Sequence, residues 1–168
     1  VEHPDIAGVT FTGSFDVGMG IFQKYATEGK YVRPTILELG GKNPTIVSKN
    51  ADIETAALGI VRSAFGLQGQ KCSACSRVFV EEAVYDALLE RITQLTEKLS
   101  IGDPTIRSVF MGPVINENSY QDYQNFTSEL ASVGRILTGA KVLKEGEFAQ
   151  GYFVTPTLAA DVPYTHPL

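Results

Sequence analysis

The sequence predicts an α/β protein, and three observations lead to this prediction. Short β-prone apolar runs alternate along the chain with segments whose apolar residues recur every three or four positions. Glycine or proline stands at many of the boundaries between these segments. Hydrophobic residues make up 43% of the 168 residues and charged residues 20%, which is the ordinary composition of a globular protein.

The first part of the chain predicts a strand, a helix and two more strands. Val9 to Thr12 is β-prone and runs into a Gly-Ser turn. An apolar residue then recurs at every fourth position up to Gly29, which predicts a helix with one buried face. The apolar positions of that face are Val17, Ile21 and Tyr25. Two short strands follow, at 34–39 and 45–47.

The middle of the chain predicts two helices around a loop and a strand. Asp52 is placed to cap the first helix, and Gly102 and Pro104 end the second. Between them, 66–76 is rich in small polar residues and predicts a loop, and 78–80 predicts a strand. The apolar positions of the two helices are Ile53, Ala56, Ala57, Ile60, Val61, Ala64 and then Val84, Leu88, Ile92, Leu95, Leu99.

The last part of the chain predicts one helix and two strands. Asn116 is placed to cap the helix, and Gly134 ends it. Strands are predicted at 135–138 and 153–158. We expect the apolar faces of all these helices to form the core rather than to contact a cofactor.

Composition excludes several classes of function. The net charge of -5, without a cluster of basic residues, argues against a nucleic-acid partner. No apolar run is long enough to span a membrane, and no signal peptide is recognisable. Two cysteines without a cystine framework favour a reducing compartment. We expect the cytoplasm, or the mitochondrial matrix if the source is eukaryotic.

The two ends of the chain do not have the composition of natural termini. The sequence begins with Val1 and stops at Leu168 inside an extended, proline-flanked stretch. We therefore interpret the chain as an internal piece of a longer protein. The alternative is a complete small protein that has lost its initiator methionine.

Cys72 is the first candidate for chemistry. It lies in a loop of small polar residues, where a substrate can reach a thiol. A thiolate is a strong nucleophile when its deprotonation is favoured, and Lys71 and Arg77 supply positive charge nearby. The alternative is a buried structural cysteine, which by residue type alone is the commoner case.

Cys72 and Cys75 also form a Cys-x-x-Cys motif, which raises two other possibilities. A redox dithiol of the thioredoxin type lies between a strand and a following helix, whereas here a strand follows the motif. A structural zinc site needs about four ligands, and His3 and His166 lie at opposite ends of the chain. We therefore predict no metal, and a packing role for Cys75.

Glu38 is the second candidate. It ends an apolar strand and is followed by two glycines, which allow a ligand or backbone to approach closely. A partly buried carboxylate in this position is a candidate general base. The alternative is an acidic residue that faces water at the end of a strand.

The Gly13-Ser14 turn is the third candidate. A strand, a Gly-Ser turn and a helix place backbone N–H groups and a helix dipole where a phosphate can bind. The turn lacks the Gly-x-Gly-x-x-Gly pattern of dinucleotide sites, and by itself it is common.

Taken together, the three motifs resemble the aldehyde dehydrogenase superfamily. The order is Phe-Thr-Gly-Ser-x-x-x-Gly, then Glu-Leu-Gly-Gly-Lys-Asn-Pro, then Gly-Gln-x-Cys, and the 34 residues from Glu38 to Cys72 also match. The resemblance covers essentially the whole chain. The loop Gly-Gln-Lys-Cys-Ser-Ala-Cys-Ser-Arg is most similar to the branch that oxidises glutamate γ-semialdehyde, the 1-pyrroline-5-carboxylate dehydrogenases.

The resemblance implies a role for each matching residue. Cys72 is the nucleophile, its backbone N–H is an oxyanion donor, and Glu38 is the general base. Ser73 matches a residue that helps to hold the substrate's α-carboxylate. The implied cofactor is NAD or NADP. Its pyrophosphate would contact Gly13 and Ser14, and the backbone of Leu39 and Gly40 would border its nicotinamide.

The resemblance also implies a division of the chain. Residues 1–39 would be the end of a Rossmann-like NAD(P)-binding domain, and 40–168 the front of the catalytic domain. Other parts of the family's cofactor site and oxyanion hole would precede Val1 or follow Leu168. We therefore expect the isolated chain to be nearly inactive, and the parent protein to be a homo-oligomer. The alternatives are another aldehyde dehydrogenase branch and an inactive structural module.

Overall fold

A computed structural model of the chain describes residues 1, 3–29 and 31–168. Strands and helices alternate along most of it, as expected of an α/β protein. The residues group into two compact units. The first unit contains residues 1–42 together with 71–73, and the second contains 43–70 together with 74–168. In the described ranges no helix is both long and apolar enough to cross a bilayer.

The first unit is a strand–helix–strand arrangement. Strand β1 (Val9–Gly13) and strand β2 (Thr35–Leu39) pair in parallel, and helix α1 (Phe15–Glu28) connects them. The face predicted to be buried on α1 is only partly correct, because Val17 is 53% exposed. Gly18 and Tyr25 are the buried residues of this helix. Gly18 takes the inward position because its lack of a side chain leaves room for Leu39, whose Cδ2 lies 2.5 Å from where a Cβ would stand.

The second unit contains the hydrophobic core. Strand β3 (Asn43–Val47) pairs in parallel with strand β4 (Cys75–Val80), and the sequence between them forms helix α2 (Ile53–Phe65). Helix α3 (Glu82–Glu97) follows β4 and packs on α2. The buried residues of this core are Val47, Ala57, Ile60, Val61, Leu88 and Ile92.

The rest of the second unit is one helix and four short strands. Helix α4 (Glu117–Val133) precedes β5 (Arg135–Thr138) and β6 (Val142–Leu143). The single strand predicted at 153–158 is wrong, since the structure has β7 (Phe153–Val154) and β8 (Leu158–Ala160) instead. Antiparallel pairs form between β5 and β8 and between β6 and β7. Pro156, which has no N–H to donate, lies between the two halves.

Two predicted helix caps are confirmed. The Asp52 side chain accepts a hydrogen bond from the Thr55 N–H at 2.8 Å, and that of Asn116 accepts one from the Ser119 N–H at 2.9 Å. The bond from Thr55 keeps the pKa of Asp52 below its ordinary value. These bonds satisfy N–H groups that a helix leaves unpaired in its first turn, so both helices begin where the sequence predicts.

Candidate active site

The turn between β1 and α1 provides donors for an anionic group. Gly13 ends the strand, and Ser14 caps the helix by accepting a hydrogen bond from the Val17 N–H at 3.4 Å. Any side chain at Gly13 would collide with the Phe11 ring, whose Cζ lies 2.5 Å from the position of a Cβ. The first amides of α1 have no acceptor within the helix, and the helix dipole adds positive potential there. Asp16 places a negative charge in the same turn and lowers that potential.

The end of β2 lies at the same edge as this turn. The parallel register places Thr12 opposite Glu38 and Gly13 opposite Leu39. Since both strands run in the same direction, Glu38, Leu39 and Gly40 lie at the carboxyl ends of the strands, beside the start of α1. Ligands commonly bind at the carboxyl ends of parallel strands. Glu38 is exposed here, so the partial burial expected for a general base is not observed in this chain.

The loop that carries Cys72 begins with an unusual backbone. A 3-10 turn at Gly66–Gly69 contains three successive residues with positive φ, namely Leu67 at 52°, Gln68 at 57° and Gly69 at 71°. Two of these are not glycine, and such conformations are uncommon for residues with a side chain. The predicted loop at 66–76 is therefore more ordered than expected, and β4 already begins at Cys75.

Cys72 lies in the turn that follows and is exposed. Residues 71–73 pack with the first unit, although the chain on either side of them belongs to the second. The structure therefore gathers all seven predicted site residues in one unit. These residues are Gly13, Ser14, Glu38, Leu39, Gly40, Cys72 and Ser73.

Cys75 has a different environment, which confirms the packing role predicted for it. It is only 8% exposed, and its Sγ accepts a hydrogen bond from the Thr45 hydroxyl at 3.1 Å. Its backbone N–H donates to Ser63 Oγ at 3.1 Å. Neither cysteine is in a disulfide. Where the structure describes the chain, no three His, Cys, Asp or Glu residues are grouped as metal ligands.

Arg77 has partners other than those expected. Its guanidinium donates to the carbonyl oxygens of His166 at 2.6 Å and Leu168 at 2.9 Å. Arg77 thus holds the segment at 166–168 against β4. Arg77 is itself a residue of β4. It lies opposite Pro44, where the β3–β4 pairing resumes after a register shift.

Three further polar side chains bind the backbone around the cysteine loop. Asn43 Nδ2 donates to the Ala74 carbonyl at 3.2 Å, and Gln70 Oε1 accepts from the Ile115 N–H at 3.1 Å. Ser63 receives the Cys75 N–H, as described above. None of the three was predicted from the sequence to have a role. Asn43 and Gln70 stood inside the quoted motifs, but Ser63 carried no signal, because its partner is twelve residues away.

Known proteins are similar to this chain over nearly its full length. The model of the aldehyde dehydrogenase family matches residues 1–168. A 1-pyrroline-5-carboxylate dehydrogenase of Geobacillus kaustophilus is 45% identical over 165 residues, which cover 96% of this chain and 31% of the relative.

Two solved structures show the same likeness. A 1-pyrroline-5-carboxylate dehydrogenase from Thermus, crystallised with bound NAD, superposes with a TM-score of 0.87 at 37% identity over 96% of this chain and 31% of that one. Lactaldehyde dehydrogenase from Escherichia coli does so with a TM-score of 0.85 at 34% identity over 95% of this chain and 32% of that one. The chain thus spans about a third of the length of these relatives. It belongs to the aldehyde dehydrogenase family.

Proposed function

We propose that this chain carries the nucleophile and the general base of an enzyme that oxidises L-glutamate γ-semialdehyde to glutamate with NAD or NADP. The observation on which the proposal rests is the packing of the Cys72 loop in the unit that also contains Glu38 and the Gly13-Ser14 turn. The names of the relatives supply the substrate, since 1-pyrroline-5-carboxylate is the cyclised form of this semialdehyde.

The first step is the attack of the Cys72 thiolate on the aldehyde carbon. A C–S bond forms while the carbonyl π electrons move to the oxygen, which gives a thiohemiacetal. The backbone N–H of Cys72 donates to the oxygen on which negative charge develops. The exposure of Cys72 suits this role, because an aldehyde in solution can reach the thiol.

The residues around the Gly13-Ser14 turn fit a dinucleotide. The first amides of α1, Gly13 and Ser14 would hold the pyrophosphate, and the backbone of Leu39 and Gly40 would border the nicotinamide. Among the described residues other than its chain neighbours, none has an atom within 4 Å of where a Cβ at Gly40 would stand, which leaves room for a ring. When bound there, NAD or NADP would supply the hydride acceptor for the thiohemiacetal carbon, and a thioester would remain on Cys72.

Glu38 completes the cycle by activating water. It takes a proton from a water molecule whose oxygen adds to the thioester carbon. The C–S bond then breaks, the electron pair returns to sulfur, and glutamate is released. The exposed carboxylate of Glu38 is accessible to water in this chain.

Ser73 is the proposed contact to the α-carboxylate of the substrate. It is exposed and directly follows the nucleophile, so its hydroxyl can bind the far end of a short, curled substrate. A second candidate function is the oxidation of another small aldehyde, which the likeness to lactaldehyde dehydrogenase favours. An inactive structural module is a weaker alternative, because both Cys72 and Glu38 are present.

We further propose the organisation and location of the parent protein. Residues 1–39 form the end of its NAD(P)-binding domain and 40–168 the front of its catalytic domain. The protein is a homo-oligomer in the cytoplasm, and its partners are small aldehydes and neither nucleic acid nor membrane. Two cysteines, neither of them in a disulfide, support a reducing compartment.

A direct assay of the full-length enzyme tests the proposed substrate. We expect glutamate γ-semialdehyde to have a higher kcat/KM than succinate semialdehyde or lactaldehyde, with NAD and NADP compared in parallel. Ser73→Ala should reduce kcat/KM for glutamate γ-semialdehyde by about tenfold or more and change that for lactaldehyde less, because it removes a hydrogen bond to a charged group. A preference for lactaldehyde would favour the second candidate, and the absence of turnover with every aldehyde would refute both.

A further inference from the structure

Two segments that carry predicted site residues continue from the first unit into the second. The chain passes from the first to the second unit between residues 42 and 43, inside the motif that begins at Glu38, and again between 73 and 74, just after Cys72. On the side of the second unit, Asn43 and Cys75 are paired at the start of the β3–β4 ladder. The two segments therefore begin at one common point.

Side-chain hydrogen bonds fasten this common point. Asn43 is partly buried, and its amide Nδ2 donates to the Ala74 carbonyl at 3.2 Å. Cys75 donates its N–H to Ser63 Oγ at 3.1 Å, which ties the end of the cysteine loop to α2. The carbonyl and the N–H of one peptide group, the one that joins Ala74 to Cys75, are thus each held by a side chain.

The ladder is irregular at the same place. Asn43 is opposite Cys75 but Pro44 is opposite Arg77, so Ser76 is an extra residue on β4. A bulge of this kind bends its strand, turns the neighbouring side chains and occurs often beside active sites. Regular strand pairing therefore does not fix the position of the backbone that follows Cys72. The side-chain hydrogen bonds of Asn43 and Ser63 fix it instead.

We propose that Asn43 and Ser63 are positioning residues that set the separation between the Glu38 carboxylate and the Cys72 thiol. Both act through the peptide group that joins Ala74 to Cys75, to which they are hydrogen-bonded. Because only four residues separate Glu38 from Asn43, and only one separates Cys72 from Ala74, a shift at this point is transmitted to both groups. The inference rests on the proposed function only for its effect on turnover.

The test for Asn43 uses a nearly isosteric change. In the full-length enzyme, Asn43→Asp removes the donor to Ala74 and places a carboxylate against the carbonyl oxygen. We expect kcat to fall roughly 10- to 100-fold, because small misplacements of reacting groups have effects of this size. The KM for NAD or NADP should not change. The matched control is Asn125→Asp on α4, where the side chain accepts from Gln121 at 3.2 Å, and it should keep full activity.

The test for Ser63 adds a conservative rescue. Ser63→Ala should lower kcat in the same way, whereas Ser63→Thr keeps the hydroxyl and should restore most of it. If Asn43→Asp fails to fold, the kcat values of Ser63→Ala and Ser63→Thr test the proposal by themselves. Folded Asn43→Asp and Ser63→Ala variants with the kcat of the unchanged enzyme would overturn it.

A second readout does not depend on turnover. In an E38C background, a short bifunctional thiol reagent should cross-link position 38 to Cys72, as mapped by mass spectrometry. Adding Asn43→Asp should slow this cross-link by roughly tenfold, because it lowers the effective concentration of one thiol at the other. Adding Asn125→Asp should not. An equal rate with Asn43→Asp would contradict the inference, whether or not the enzyme oxidises the expected aldehyde.

Discussion

The two units of this chain differ in what they contain. All seven predicted site residues lie in the first unit, where Tyr25 is the only buried large apolar residue among those the structure describes. The second unit contains none of them, but it holds the cluster centred on Leu88 and Val61, which are 0% and 2% exposed. The predicted site residues and the main core of this chain are therefore in different units.

The difference also appears at the surface of the first unit. Several of its apolar side chains are half exposed or more, among them Phe15 at 62%, Ile36 at 57% and Val32 at 96%. Burying a large apolar side chain contributes about 1.5–3 kcal/mol, so these side chains contribute little to the stability of the first unit within this chain, which spans about a third of its relatives' length.

This comparison predicts that the chemistry can be removed without loss of the fold. Cys72→Ala in the full-length enzyme should reduce kcat by on the order of 10³-fold or more, since the covalent route is lost. The melting temperature should stay the same, because the side chain is exposed. Cys75→Ala is the matched control and should retain turnover. Substantial turnover by Cys72→Ala would refute the assignment of the nucleophile.

The converse change should affect the core and spare the chemistry. Leu88→Ala should lower the free energy of unfolding by about 2–5 kcal/mol, as expected for a fully buried leucine. Leu58→Ala on α2, where the side chain is 41% exposed, should have a much smaller effect. Urea denaturation measures both. If the folded fraction of Leu88→Ala also had a changed KM or a lower kcat, the core and the predicted site would not be independent.

The two cysteines should differ in reactivity. Brief alkylation followed by peptide mapping should modify Cys72 on the order of tenfold faster than Cys75, because a reagent reaches a buried thiol only after local opening. The Thr45 hydroxyl also donates to the Cys75 sulfur. Thr45→Val should therefore raise the rate at Cys75 and leave that at Cys72 unchanged. Equal rates in the unchanged protein would argue against the difference in exposure.

The smallest expected effect is a pH dependence in the second unit. The hydrogen bond from the Thr55 N–H lowers the pKa of Asp52 in the folded state. The ionised Asp52 therefore adds to the stability of the folded protein above its pKa in the unfolded chain, and this addition is lost as pH falls through its pKa in the folded protein. Asp52→Asn keeps an effective cap that does not titrate. Between about pH 5 and pH 3, the native protein should lose more stability than Asp52→Asn. Parallel losses in thermal melts would show that the cap makes no such contribution.

Much of the fold could be predicted because its signals are local. The capping residues Asp52 and Asn116 and the apolar periodicity of α2, α3 and α4 depend on neighbours within one or two turns. The break at Pro156 depends on distant contacts as well. There the Tyr123 hydroxyl donates to the Thr155 carbonyl at 2.8 Å and lies 2.8 Å from Thr157 Oγ1. Strand β6 has two residues, too few to show a pattern.

Candidate site residues could be named from the sequence, but the contacts that hold the loop around Cys72 could not. Cys72, Glu38 and the Gly-Ser turn are recognisable because their spacing resembles a known family. The left-handed backbone at Leu67 and Gln68 was not foreseen, since neither residue favours it. The ties made by Asn43 and Ser63 join residues far apart in sequence. The exposure of Glu38 also differs from the expectation, because a strand-end carboxylate is compatible with either environment.

The most direct test of the account is to trap the covalent intermediate on the nucleophile. Glu38→Gln should slow the hydrolysis of the thioester by about 10²- to 10⁴-fold and leave its formation possible. Mass spectrometry of the Glu38→Gln enzyme after brief exposure to NAD and glutamate γ-semialdehyde should then show an acyl adduct on the peptide that contains Cys72. An adduct confined to Cys75, or no adduct in an enzyme that still reduces one equivalent of NAD, would contradict the assignment of Cys72 as nucleophile and Glu38 as base.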